Sequence, residues 1–182
     1  MSTPAVLLHG ARLRLEPLQA AHADALYPVL SDPELYRHLD HGPPADLERL
    51  RHVFGRMQAG RSPDGREQWL NWVLCTHDGG EALGTVQATV RDDGCAWVAW
   101  MLARHVWGRG YAAEAVGLML AHLRRHGQVR QAQACVEAAN DRSEALARRL
   151  GFRAAKPAEL APHTLTRTER LWLLDLSPGA GA

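Results

Sequence analysis

Lysine is almost missing from this 182-residue chain: Lys156 stands alone against twenty arginines. On a solvated surface the two residues serve alike, so the imbalance reads as a coding bias rather than a function. An excess of charge of either sign is also missing. The net charge is +1, the isoelectric point is near 7.9, and the basic residues are scattered, so the massed positive surface of a general nucleic-acid binder is absent. No apolar run approaches the roughly 18 to 20 residues of a membrane-spanning helix. The opening MSTPAVLLHGARLRLEP lacks the basic start and apolar stretch of a signal peptide. A cytoplasmic protein is expected, with neither nucleic acid nor membrane as partner. Cysteines are few and odd in number: Cys75, Cys95 and Cys135 lie far apart without metal-ligand spacing, which fits three small hydrophobes in a reducing compartment. The ten histidines are dispersed and form no His-Glu-x-x-His pair, so no metal site is expected.

What is present suffices for a core. With 46% hydrophobic and 23% charged residues, one domain over residues 1–176 is expected, followed by a disordered tail at 177–182. Leu7 to Leu15 alternates through Arg12, Leu13, Arg14 and Leu15 as a first strand. Ala20 to Leu30 reads as a helix, and Pro33 to Pro44 as a loop with one helical turn near Glu34 to Leu39. Ala45 to Ala59 is a second helix, with Leu47, Leu50, Val53, Phe54 and Met57 at helical spacing. Gln68 to Thr76 and Ala82 to Val90 are antiparallel strands about a turn holding Asp78 and Gly79. Further on, Val129 to Glu137 reads as a buried strand. Asn140 to Leu150 is a short helix with Asp141 and Glu144 as its capping box, Gly151 as its stop and Phe152 as a core plug. A weak strand near Gly151 to Ala155, a loop from Pro157 to Pro162 and a last strand from Arg167 to Leu176 complete the chain.

The stretch from Ala96 to Arg125 organises the rest. Trp97, Val98, Trp100 and Met101 form a run rich in β-formers. A turn with Gly108 and Gly110 on either side of Arg109 follows, and a helix begins at once, with Ala112, Val116, Met119, Leu120 and Leu123 on one stripe and Glu114, His122, Arg124 and Arg125 largely off it. Glycines there let the backbone bend tightly and bring N–H groups to a ligand, and the positive end of the helix dipole points the same way. Such a corner suits an anion; a plain connecting turn is the alternative reading of one Gly-x-Gly.

With ALGTV at 82 to 86, WGRGYAAEA at 107 to 115 and NDRSEALARRLGF from Asn140 to Phe152, nearly the whole chain resembles the GNAT superfamily of acetyl-coenzyme A dependent N-acetyltransferases. The likeness is strongest to the ribosomal-protein-alanine (RimJ/RimL-like) type. The resemblance implies an α/β fold: a central, mostly antiparallel sheet, splayed between its fourth and fifth strands and flanked by about four helices. It implies that backbone N–H groups from Val106, Trp107, Gly108, Arg109, Gly110, Tyr111 and Ala112 bind the coenzyme A pyrophosphate. It also implies that the pantetheine arm pairs with backbone near Trp100 to Ala103, hence Met101, Leu102 and Ala103, where one N–H holds the thioester oxygen, and that Asn140 binds the same arm. Many relatives place a tyrosine after the leucine of the fourth helix, where this chain has Ala147; the resemblance implies that the serine of Asn-x-x-Ser, Ser143, protonates or hydrogen-bonds the leaving thiolate instead. Glu159 is the candidate general base, with Glu137 or a relayed water as alternatives. Trp107 and Tyr111 are expected to pack around the loop, His105 departs from the usual Gln or Arg, and Arg104 is placed to compensate.

By this resemblance the reaction is transfer of an acetyl group from acetyl-CoA to a primary amine by direct attack on the thioester. The expected acceptor is the N-terminal α-amine of a protein or peptide, drawn in by Asp32, Glu34, Asp40, Asp46 and Glu48. A small amine such as an aminoglycoside, a polyamine or an amino-acid derivative remains open, as does a non-catalytic acetyl-CoA-binding module. A monomer or homodimer is expected. A nucleoside-triphosphate site is excluded, because the loop lacks the Gly-Lys-Ser/Thr ending.

Overall fold

The structure, a computed structural model, describes residues 5–78, 80–125, 127–160, 163, 165–166 and 168–177. Gly79, Pro162, Arg167 and the tail from 178 lie outside the described residues. Eight strands form one sheet in the order β1-β2-β3-β4-β5-β6-β8-β7, where β1 is Leu8–His9, β2 Leu13–Pro17, β3 Glu67–Thr76, β4 Ala82–Arg91, β5 Cys95–Leu102, β6 Gln131–Glu137, β7 Arg153–Ala154 and β8 Glu169–Asp175. The strand expected over Leu7 to Leu15 is therefore two short ones. Gly10 N–H donates to Leu13 C=O at 2.8 Å and folds β1 back against β2.

Every neighbouring pair is antiparallel except β5 and β6. That exception makes the cleft. β5 is paired with β4 from Ala96↔Val90 to Leu102↔Gly84, and β6 with β8 from Gln131↔Asp175 to Glu137↔Glu169. Between them, β5 and β6 share only Cys95↔Gln131, Ala96↔Ala132 and Trp97↔Gln133. Beyond that last rung the two strands part, which is the expected splay.

Helices cover the two faces. On one lie α3 (Tyr111–Arg125) and α4 (Asp141–Arg149), on the other α1 (Ala23–Leu30) and α2 (Leu47–Gln58), with a short α5 (Pro157–Leu160) near the end. The strand period of two sorts the core accordingly. Leu70, Trp72, Leu74, Val86, Ala88, Ala96 and Val98 pack with Ala115, Val116, Met119, Leu120 and Leu123 of α3, whereas Val73 and Cys75 pack with Leu26, Leu30, Leu50 and Phe54. His122, off the expected stripe, is buried edge-on to Trp72 at 5.5 Å, because the sheet wraps more of α3 than one apolar stripe.

Local signals set the helix ends. Asp46 caps α2 by accepting from Arg49 N–H at 2.7 Å. Gly151, at φ 87°, closes α4: its N–H donates to Arg148 C=O and Phe152 N–H to Ala147 C=O, both at 3.0 Å, while Phe152 is buried. This is the doubly hydrogen-bonded glycine stop that left-handed residues make at helix ends. The N-cap of α4 is Asn140, not Asp141. Its Oδ1 accepts from Ser143 N–H at 3.1 Å, and Glu144 turns inward instead of completing a capping box. The segment expected as a loop after Pro157 is one short helix, α5.

Candidate functional site

The mouth of the splay gathers most of the residues that the sequence singles out. On one wall, β5 ends in a single tight helical turn, Arg104–Val106, and then the glycine loop. Inside that loop Val106 N–H donates to Ala103 C=O at 3.1 Å, Trp107 N–H to Arg104 C=O at 3.2 Å and Arg109 N–H to Val106 C=O at 3.3 Å. Those three donors are spent internally. The donors left for a ligand are at Gly108, Gly110 and the opening turn of α3, Tyr111 to Ala113, whose N–H groups have no intrahelical acceptor. Gly108 and Gly110 sit at φ 73° and 81°, a backbone that other L residues adopt only under strain. A Cβ on Gly108 would meet nothing within 4 Å, so the space in front of the loop is open. The cradle fits a pyrophosphate, although fewer of the loop's amides serve it than the span from Val106 to Ala112 implies.

The pantetheine-facing edge is likewise narrower than expected. Ala103 N–H donates to Leu83 C=O at 2.7 Å, and Met101 C=O faces Gly84, where an added Cβ would lie 2.1 Å from it. Backbone groups alternate sides along a strand, so Met101 and Ala103 address β4 while Trp100 and Leu102 address the gap. Leu102 C=O already accepts from Trp107 Nε1 at 2.8 Å. Trp100 and the Leu102 N–H are thus the groups that an inserted arm would meet.

A clamp that the sequence reading missed fixes this wall. Glu114 accepts from Arg12 N–H at 2.8 Å, from Arg12 Nε at 2.8 Å and from Leu13 N–H at 3.3 Å, and Arg12 also donates to Arg109 C=O at 2.8 Å. The guanidinium lies 4.5 Å from the Tyr111 ring centroid. Partial burial pulls the Glu114 carboxyl upward, but the hydrogen bonds from Arg12 and Leu13 outweigh it and hold the group below its ordinary range. Glu114 is more than a first-turn acid; it ties the loop's helix to β2. Only its helix position was legible, because a partner 102 residues away leaves no local signal.

The other wall is the start of α4. Asn140 spends its Oδ1 on the cap, so only its Nδ2 could serve a ligand. Ser143, in the first turn and half-buried, accepts at Oγ from Trp100 Nε1 at 3.3 Å. Arg142 stacks over Trp107, 4.2 Å from its ring centroid, so both tryptophans bridge the walls. Ala147 is fully buried, where a tyrosine would be overpacked. Beside Ser143, the buried Glu144 is held by Arg148 at 2.8 Å and by Arg170 of β8 at 2.7 Å.

Glu159 is otherwise engaged. Both its oxygens hold the Arg153 guanidinium, at 2.6 and 2.8 Å, and it accepts from Lys156 N–H at 2.7 Å. Arg153 first and the Lys156 amide second pull its carboxyl down to about 2. A carboxylate so stabilised is a poor proton acceptor at neutral pH, which argues against Glu159 as the base. The cysteines are no better as nucleophiles. Packing and the neighbouring Glu169 push the exposed Cys135 thiol up to about 12, burial and Glu16 raise Cys75 to about 11, and burial also raises Cys95. The sequence reading also missed His163, edge-on to Trp97 at 5.4 Å where the strands begin to part.

The acidic segment is mostly neutralised. Asp32 pairs with Arg104 at 3.6 Å, Glu34 with Arg37 at 3.3 Å and Glu48 with Arg51, while Asp46 is a cap. Arg104 is therefore engaged at Asp32, and His105 lies 3.2 Å from Glu81. Among the described residues no group of three or more His, Cys, Asp or Glu could hold a metal ion, and no helix is long and apolar enough to cross a membrane.

Known proteins share this fold. An uncharacterized N-acetyltransferase, p20, of Bacillus licheniformis is 28% identical over 147 residues, 80% of this chain and 81% of that protein. Among solved structures, the ribosomal-protein α-N-acetyltransferase RimL in complex with coenzyme A aligns with a TM-score of 0.75 at 20% identity, over 93% of this chain and 97% of RimL. A probable GNAT-family acetyltransferase from Chromobacterium violaceum aligns with a TM-score of 0.75 at 22% identity, over 97% and 89%. Residues 12–153 match the acetyltransferase (GNAT) domain family, and the chain belongs to that family.

Proposed function

We propose that the chain works in the cytoplasm, as one domain over residues 1–176, to transfer the acetyl group of acetyl-CoA to the α-amine at the N-terminus of a peptide or protein. The observation that carries this is the three-rung pairing of β5 and β6, which leaves an open backbone edge beside Ser143. The anion cradle at Gly108 and Gly110 would hold the pyrophosphate, the edge at Trp100 and Leu102 the pantetheine arm, and an N–H of that edge the thioester oxygen. Ser143 lies across the gap, where the sulfur leaves.

The neutral amine attacks the thioester carbon, a C–N bond forms and the C–S bond breaks. The electron pair departs on sulfur, and the surplus N–H proton passes to water. A hydroxyl is far less acidic than a thiol, so Ser143 shares its proton with the thiolate as a hydrogen bond rather than surrendering it. Raised thiol pKa values at all three cysteines support direct transfer over an acyl-cysteine route. No dedicated carboxylate base is required, since desolvation alone lowers the pKa of an amine.

The peptide reading draws on the likeness to RimL and on the far face of β5, where Ala99 is exposed and an extended N-terminus has room to lie. It draws little from the acidic segment, whose charges are mostly paired. Free-thiol release from acetyl-CoA, measured with peptides of varied first residue and with polyamines and an aminoglycoside, tests it. Turnover with peptides is expected; inert peptides beside an acetylated small amine would overturn the acceptor while leaving the reaction class.

A further inference from the structure

We propose that Trp100 is a positioning residue for the chemical step: its indole N–H holds the Ser143 hydroxyl oxygen so that the hydroxyl proton is aimed at the leaving sulfur. This rests on the reading of Ser143 given above.

The direction of the contact is forced. An indole nitrogen only donates, whereas a hydroxyl has one proton and two lone pairs. The 3.3 Å contact between Trp100 Nε1 and Ser143 Oγ therefore uses a lone pair of the serine and never its proton. Ser143 N–H is committed to Asn140 Oδ1, so the residue is tethered at backbone and side chain together. Among the described residues its hydroxyl proton has no acceptor. It is left for a ligand in the gap.

The donor is rigid. The Trp100 side chain is half-buried and packed against the main core, so the indole need not reorganise when charge develops on sulfur, which is the condition for an electrostatic contribution to rate. A hydrogen bond received at Oγ also polarises the O–H, making it a stronger donor to the thiolate. Trp100 further belongs to β5 and Ser143 to α4, so the contact fixes the width of the gap at the atom where the C–S bond breaks. Nothing in the sequence pairs the two, which lie 43 residues apart.

Trp100→Phe keeps an aromatic ring and removes the donor. The test compares the parent, Trp100→Phe, Ser143→Ala and the double variant by single-turnover quench of acetyl transfer, with KM for acetyl-CoA and melting temperature followed in each. Trp100→Phe is expected to slow the chemical step about 10-fold, less than the roughly 10² to 10³ of a donor aimed at the developing charge itself because Trp100 acts through Ser143, with KM for acetyl-CoA within about 2-fold of the parent. In the Ser143→Ala background the same change should cost less than about 2-fold, because its target oxygen is gone. A purely structural role predicts equal loss in both backgrounds, and that result overturns the inference. So does a parent-like rate in Trp100→Phe when Ser143→Ala is slow. A parent-like rate in Ser143→Ala itself overturns the reading of Ser143 instead. Should Trp100→Phe melt more than a few degrees lower, Trp100→Met, which fills the site without a donor, takes its place under the same criteria.

Discussion

The two walls of the cleft each stand on a glutamate at the fourth position of a helix, and the two are held in different ways. Glu114 of α3 takes two backbone N–H groups and one guanidinium; Glu144 of α4 takes two guanidinium groups and no backbone. The difference follows what each wall must present. A cradle built from main-chain donors has to be fixed at the main chain. A wall that presents side chains, the Ser143 hydroxyl and the Asn140 amide, needs only its helix anchored, and Arg170 of β8 does that.

The largest effect tests the α4 wall directly. Ser143→Ala should lower kcat by about 10² to 10³, the span of a lost hydrogen-bond donor to developing charge, with KM for acetyl-CoA little changed. A turnover within about 3-fold of the parent would remove Ser143 from the chemistry. Next is the glutamate comparison. Glu114→Ala strips the acceptor from three donors, at about 1.5 to 3 kcal/mol for a charged hydrogen-bonding group, and should raise KM for acetyl-CoA as the loop loosens. Glu144→Gln should instead lower kcat by a smaller factor at near-parent KM, since it loosens the serine. If both variants moved KM alone, the division between the walls would be false.

Acid should separate the walls in milder form. The Glu114 carboxyl lies below its ordinary 4.5 in the folded protein. Its contribution is therefore complete above that value and lost as pH falls through the depressed folded pKa. Melting temperature followed from pH 7 downward should drop more steeply in the parent than in Glu114→Gln across that window. The smallest effect belongs to Glu159. Glu159→Gln breaks an exposed pair with Arg153 and should leave kcat within about 2-fold, because surface ion pairs contribute little; a large fall in kcat across neutral pH would restore it as the base.

The strand, glycine loop and helix, the Asn-x-x-Ser and the glycine stop after α4 were legible because each is written in one continuous stretch of chain. Periodicity placed β3, β4, α2 and α3 for the same reason. What stayed illegible was long-range: the Arg12–Glu114 clamp, the Trp100–Ser143 contact, and the burial of His122 and Glu144. Partner identity also decides what a residue is free to do. Glu159 looked available until Arg153 took both its oxygens, and Met101 and Ala103 until β4 took their backbone. The acidic run from Asp32 to Glu48 reads as a field in sequence, and in space three of its five carboxylates are paired with arginines and Asp46 is a helix cap.

The open seam between β5 and β6 has a thermodynamic consequence. Past Trp97, β5 is an edge strand in the middle of a sheet, and unpaired edges are what folded proteins guard against. Its Trp100 and Leu102 amides should exchange with solvent deuterium faster than the Met101 and Ala103 amides, which face β4. An arm that lies in the seam supplies the missing rungs, and a ligand at 100 times its Kd adds about 2.7 kcal/mol to stability. The seam thereby couples occupancy to cohesion of the two half-sheets, and the amides beside it report on both.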